Sequence, residues 1–133
     1  MPGIINKKIL KVEQQIVAQP HSREAEEAIL GCVLIKSELF GEVKEFIPKR
    51  EVFYYDTSQI VWDKMKSLAK NHKEIDPISI LAILDKEEKA KVTGYYLTGL
   101  CANIATTATI QTYCNIVLEK YLQRELIAAT YKI

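Results

Sequence analysis

Pro20-His21-Ser22-Arg23-Glu24-Ala25-Glu26-Glu27-Ala28-Ile29-Leu30-Gly31 is the stretch that decides the fold of this chain. Pro20 cannot extend a preceding helix, because its ring removes a backbone donor and clashes with the turn before it. Ser22 stands where a new helix needs a cap, able to accept from a free amide of the first turn. Glu24, Glu26 and Glu27 set negative charge beside the positive end of the helix dipole. Ala25, Ala28, Ile29, Cys32 and Val33 then follow the i, i+3, i+4, i+7, i+8 spacing of a buried stripe. A helix is therefore expected over about Ser22 to Lys36. Gly31 inside it costs about 1 kcal/mol of helix propensity relative to alanine, a cost that a close helix–helix approach would explain.

The same signals repeat downstream. Ser37 is expected to cap a second helix with Leu39, Phe40, Val43, Phe46 and Ile47 inward, stopped by Pro48. A turn holding Val52, Phe53 and Tyr54 follows. Asp56 or Thr57 is expected to cap a longer helix to about Asn71, burying Ile60, Val61, Met65 and Leu68, with Trp62 at its side. Asp76 as cap and Pro77 at the first helical position form a matched pair, and that helix is expected to bury Ile78, Leu81 and Leu84. Lys86, Lys89 and Lys91 alternate with Asp85, Glu87 and Glu88, so Asp85 to Val92 reads as a solvated spacer. Gly94 to Asn103 form another helix with Leu97, Leu100 and Cys101 inward, and Thr106 or Thr107 opens the last one. Alternating patterns are short and hairpin dipeptides are missing, so the fold class is all-α.

Residues 1–19 are a distinct N-terminal arm. Ile5, Ile9, Val12 and Ile16 share one helical face, with Lys7, Lys8 and Lys11 elsewhere. This arm reads either as a frayed terminus or as a short helix that docks on the domain or on a neighbour.

A length of 133 residues suits one domain, large enough to bury roughly two-thirds of its unfolded surface. Eighteen basic and 17 acidic residues leave a net charge of +1, which gives no electrostatic footprint for nucleic acid. Tight direct DNA binding is not expected, and a protein-contacting module is. No apolar run approaches the roughly 20 residues that span a bilayer, so no membrane partner is expected. Cys32, Cys101 and Cys114 are odd in number and lack metal-ligand spacing. They read as buried small hydrophobes in a reducing, cytoplasmic compartment.

Catalytic chemistry has no visible home. There is no Gly-x-x-x-x-Gly-Lys-Ser/Thr loop to cradle an NTP, so neither ATP nor Mg is expected to bind this segment. His21 and His72 sit in no nucleophile motif, and His21 reads as a structural hydrogen-bonding group. Asp76 reads as a cap rather than a general base. Glu24, Glu26 and Glu27 read as dipole partners rather than metal ligands. Phe53, Tyr54, Tyr95 and Tyr96 lack the adjacent cations that stacking on single-stranded bases would use.

The last helix carries surplus apolar surface. Projected at about 100° per residue, Ile110, Tyr113, Cys114, Val117, Leu118, Tyr121, Leu122 and Ala128 cover an arc of about 180°. Packing on one neighbour needs only a stripe of roughly 100°. Tyr113, Val117, Tyr121 and Ala128 form one line of that arc and are the candidates for self-association through a second copy.

The order of residues adds a resemblance. Pro-His-Ser-x-Glu-Ala-Glu at Pro20–Glu26 resembles the opening of the N-terminal domain of DnaB-type replicative DNA helicases. Glu51-Val52-Phe53-Tyr54, Ile60-Val61-Trp62-Asp63-Lys64-Met65, Glu74-Ile75-Asp76-Pro77-Ile78-Ser79-Ile80, Thr93-Gly94-Tyr95-Tyr96-Leu97 and Tyr113-Cys114-Asn115-Ile116-Val117 with Arg124-Glu125-Leu126-Ile127 resemble further segments of that domain, in register. Ser58, where the family usually has His, and Thr93, in place of the first of two Gly, depart from it. The resemblance implies a compact orthogonal head of about six helices over residues 20–104. Residues 105–133 would be the first arm of a helical hairpin whose return arm is absent. It also implies a role in self-assembly, as a dimer or a higher ring, and in docking a DnaG-type primase or helicase loader during DNA replication. ATP and Mg would belong to a following motor domain. A free-standing adaptor or inhibitor of a helicase or primase is the alternative.

Overall fold

A computed structural model describes residues 19–131. The arm proposed over residues 1–19 lies outside the described residues except for Gln19. Among the described residues, seven α-helices and one 3-10 turn follow in order: α1 (Arg23–Ile35), α2 (Leu39–Phe46), the turn Arg50–Val52, α3 (Asp56–Lys70), α4 (Pro77–Ile83), α5 (Lys86–Lys91), α6 (Gly94–Ala102) and α7 (Ile110–Thr130). The fold is all-helical, as the periodicity implies.

α1 is the hub. Ser22 Oγ accepts from Ala25 N at 3.2 Å and starts it. The whole stripe Ala25, Ala28, Ile29, Cys32 and Val33 is buried, and so are Leu30 and Leu34. Apolar on nearly every side after its first turn, α1 packs against α2, α3, α6 and α7 at once. Gly31 is where α6 comes closest. A Cβ there would stand 2.4 Å from the Leu100 carbonyl oxygen and 2.8 Å from Ile104 Cγ1. The propensity lost at Gly31 is thus offset by backbone proximity.

Trp62 does not lie at the side of α3. It is fully buried between Phe40 and Phe53, with ring centroids 5.0 and 5.6 Å away, and is the largest side chain in the core. Periodicity placed it one step off the stripe; a second layer, from α2 and the turn, closes over it. α3 ends by a Schellman arrangement. His72 adopts φ 57°, its amide bonds the Ala69 carbonyl at 3.1 Å, and the Lys73 amide bonds the Leu68 carbonyl at 2.9 Å.

Asp76 Oδ1 accepts from Ser79 N at 2.8 Å, opening α4. α4 turns inward on Ile80 and Leu84, whereas Ile78 is 80% exposed. The expected inward stripe is therefore rotated. Asp85 to Val92 is not an unstructured spacer. Asp85 and Glu88 form a reciprocal capping box that starts α5. Lys64 reaches Glu88 at 2.8 Å and Lys91 reaches Asp56 at 2.7 Å, tying α5 to α3. Its charges are solvated, as read, but the capping geometry folds it.

Three expected caps are differently made. Ser37 contributes its carbonyl to the Phe40 amide, not a side-chain cap, and α2 starts at Leu39. α3 begins after Tyr55 with no side-chain cap from Asp56 or Thr57. Thr106 Oγ1 accepts from Ala108 N, closing a local turn, and α7 starts only at Ile110.

Candidate functional site

The motifs at the two ends of the described chain meet at one joint. Glu26 lies three, four and seven residues before Ile29, Leu30 and Val33, on their buried face. Its carboxylate is buried, and accepts from the backbone amides of Tyr54 at 2.8 Å and Tyr55 at 3.2 Å. Glu26 is therefore not a solvated dipole partner, as Glu24 is; it fastens α1 to the segment entering α3. Burial pushes its carboxyl above the ordinary glutamate value, opposed by those two amides and by the charge of Arg124. Hydrogen bonds to an ionised acceptor are worth about 1.5–3 kcal/mol each, which is why the pair can hold a buried carboxylate.

Arg124 completes the joint from α7. Its Nη1 donates to the Pro20 carbonyl at 2.9 Å, and its Nη2 to the carbonyls of Val52 at 2.9 Å and Glu51 at 3.3 Å. Its guanidinium carbon also lies 5.4 Å from the Tyr54 ring centre and 5.7 Å from that of Tyr121. The planar fork suits this geometry, since several carbonyls and two ring faces are engaged together. His21 stacks on Tyr54 at 4.3 Å and meets the Gln19 carbonyl at 2.7 Å through Nδ1. Arg23 covers Tyr55 at 4.6 Å. Chain entry, the 3-10 turn and the second half of α7 are thus locked together by polar and aromatic contacts.

Sequence reasoning missed Glu26 and Arg124 as partners. One signal was legible: a glutamate on the same face as Ile29, Leu30 and Val33 must be paired if that face is buried. Nothing in the sequence identifies the amides that pair it.

α7 divides the self-association candidates. Val117 is fully buried against the head beside Ile110 and Cys114. Tyr113 and Tyr121 are half-buried, with Lys49 5.3 Å from the Tyr121 ring centre. Ala128 alone is exposed. The head covers most of this line and leaves the other edge of the arc open. There Leu118, Leu122 and Leu126, with Asn115, Glu119 and Gln123, line a shallow apolar furrow. Leu122 is 63% and Leu126 69% exposed. A lysine or aspartate at Val117 would disrupt the head itself, so the free edge is the residue set for any test of association.

Among the described residues no group of three or more His, Cys, Asp or Glu side chains is placed to hold a metal ion. No helix among them is long and apolar enough to cross a membrane. Cys32 and Cys114 are buried and Cys101 half-buried, all as thiols. Burial, with Glu42 nearby, pushes the Cys114 thiol up to about 12.

A helical head clasping a longer helix, with one side of that helix left open, defines an assembly module by its architecture. The family described as DnaB-like helicase N terminal domain matches residues 18–119. The crystal structure of the N-terminal domain of DnaB helicase from Mycobacterium tuberculosis superposes with a TM-score of 0.78 at 28% identity, covering 85% of this chain and 83% of that one. The replicative DNA helicase DnaB of Buchnera aphidicola is 30% identical over the whole chain, and that of Haemophilus influenzae 30% over 92% of it. The chain spans only 29% and 26% of those two relatives' own lengths. The chain belongs to the DnaB-like helicase N-terminal domain family.

Proposed function

We propose that this chain serves as the assembly and docking domain of a replicative DNA helicase. It would pair with copies of itself, support a ring, and receive a DnaG-type primase or a helicase loader, so that unwinding is coupled to priming. ATP hydrolysis would reside in a motor domain elsewhere. The observation that supports this reading is the open leucine edge of α7, aimed away from a head that already buries the opposite edge. A contiguous exposed apolar strip is unusual on a soluble monomer unless it serves an interface. Two-fold pairing is the commonest closed arrangement.

Sedimentation at tens of micromolar tests it. Dimers or larger species are expected for the wild type, and monomers for Leu122→Lys/Leu126→Lys with helicity retained. A monomeric wild type at that concentration would defeat the pairing. Primase docking is tested by co-sedimentation with the primase's helicase-binding domain, where no complex at any subunit ratio would count against it.

A further inference from the structure

A trough runs along the open side of α1, between its first turns and the connection from α6 to α7. One part encloses about 380 Å³ and the other about 580 Å³, and they share Glu27, Leu100 and Asn103. Ala28, Leu100 and Ile104 supply an apolar floor. Glu24 and Glu27 form one wall, and neither part is lined by any lysine or arginine. Carboxylates alone would attract any cation. Carboxylates beside an apolar floor select a segment that carries an aliphatic seam and basic side chains together.

One segment of this chain has that chemistry and is tethered beside the trough. Ile5, Ile9, Val12 and Ile16 recur at spacings of four, three and four residues, accompanied by Lys7, Lys8 and Lys11. Pro20, where this segment joins the head, is held through its carbonyl by Arg124. Ile16 is only eight residues from Glu24 in sequence. A chain reaches about 3.3 Å per residue, so the trough is within range. Short flexible tethers give effective concentrations in the millimolar range, at which a contact too weak to join two separate molecules is well populated.

We propose that the trough between α1 and the α6–α7 connection receives residues 5–16 of the same chain, isoleucines and valine on the apolar floor and lysines toward Glu24 and Glu27. The segment would then occupy an edge of the domain separate from the leucine edge of α7, and this contact does not depend on the assembly role.

Hydrogen exchange on the full chain tests it. Ile9→Asp/Val12→Asp should speed exchange of the amides over residues 103–108 about tenfold, with α3 unchanged. Glu24→Lys/Glu27→Lys, at solvent-facing positions, should do the same. Adding Lys7→Glu/Lys8→Glu/Lys11→Glu to that charge-reversed protein should restore protection. Unchanged exchange in the first two variants would overturn the proposal. So would failure of the compensating reversal, a change confined to α7, or protection that rises with protein concentration, which would mark a second copy as the occupant.

Discussion

α1 and α7 are the two helices that touch each other most intimately, yet the fold treats them differently. Nine of the 13 residues of α1 are buried, against three of the 21 in α7. α1 is surrounded by α2, α3, α6 and α7, so its burial comes from several directions. α7 has the head on one side only, and beyond Val117 it is held by Tyr121 and Arg124 rather than by core side chains. One helix organises the domain; the other is displayed by it. An assembly module has use for both, since a rigid hub lets an exposed helix keep a defined position.

The contrast breaks first at the hub. Ile29→Ala in α1 should cost about 2–5 kcal/mol in urea denaturation. Leu126→Ala on α7 should stay within about 0.5 kcal/mol of wild type at concentrations where the chain is monomeric. Equal costs would mean that α7's outer edge is already packed.

The close approach of α1 to α6 gives the next effect. Gly31→Ala drives a methyl group toward the Leu100 carbonyl, a backbone atom that cannot swing aside, and should cost about 1–3 kcal/mol. Gly99 has nothing within 4 Å of its virtual Cβ. Gly99→Ala should therefore be neutral or stabilise by up to about 1 kcal/mol through helix propensity. Similar melting temperatures for the two variants would contradict the approach.

Glu26→Gln probes the joint between the two helices. Only one oxygen would remain for two amides, at a cost of about 1–3 kcal/mol. The pH dependence sharpens this. Because the folded carboxyl titrates above its ordinary value, the folded state holds its proton more firmly than the unfolded state. Its contribution is fully present below the ordinary glutamate value and is lost as pH rises through the raised one. The Gln variant should lack the decline that the wild type shows across that window. A wild type whose stability instead rose through this window on account of Glu26 would reverse the assignment.

The smallest effect leaves stability untouched. Thiol labelling under native conditions should modify the half-buried Cys101 first, and Cys32 of α1 and Cys114 of α7 slowly. A thiol held near 12 offers little thiolate at neutral pH. Cys114 reacting as fast as Cys101 would show that α7 leaves the head in solution.

Much of this was legible in the chain. Helix starts at Ser22 and Asp76, the buried stripe of α1, the reason for Gly31 and the surplus apolar arc of α7 all follow from local rules of capping and period. The joint was not legible. Glu26 resembles its neighbours Glu24 and Glu27 in sequence, and Arg124 stands in an ordinary amphipathic helix. Their roles depend on where the Tyr54–Tyr55 backbone and the Pro20, Glu51 and Val52 carbonyls arrive. Residues 20 and 124 meet only through the whole intervening fold.

The sequence by itself determined an all-helical domain, because apolar period and capping act within a few residues of one another. It also determined that α7 bears more apolar surface than one neighbour can cover. Only the tertiary structure decided which edge of that surface is spent on the head and which stays open. A helix's own periodicity defines the width of its apolar arc, but its rotation about its axis is set by what packs against it: here Cys114 and Val117 turn inward with Arg124 clamped on three carbonyls, leaving Leu118, Leu122 and Leu126 outward.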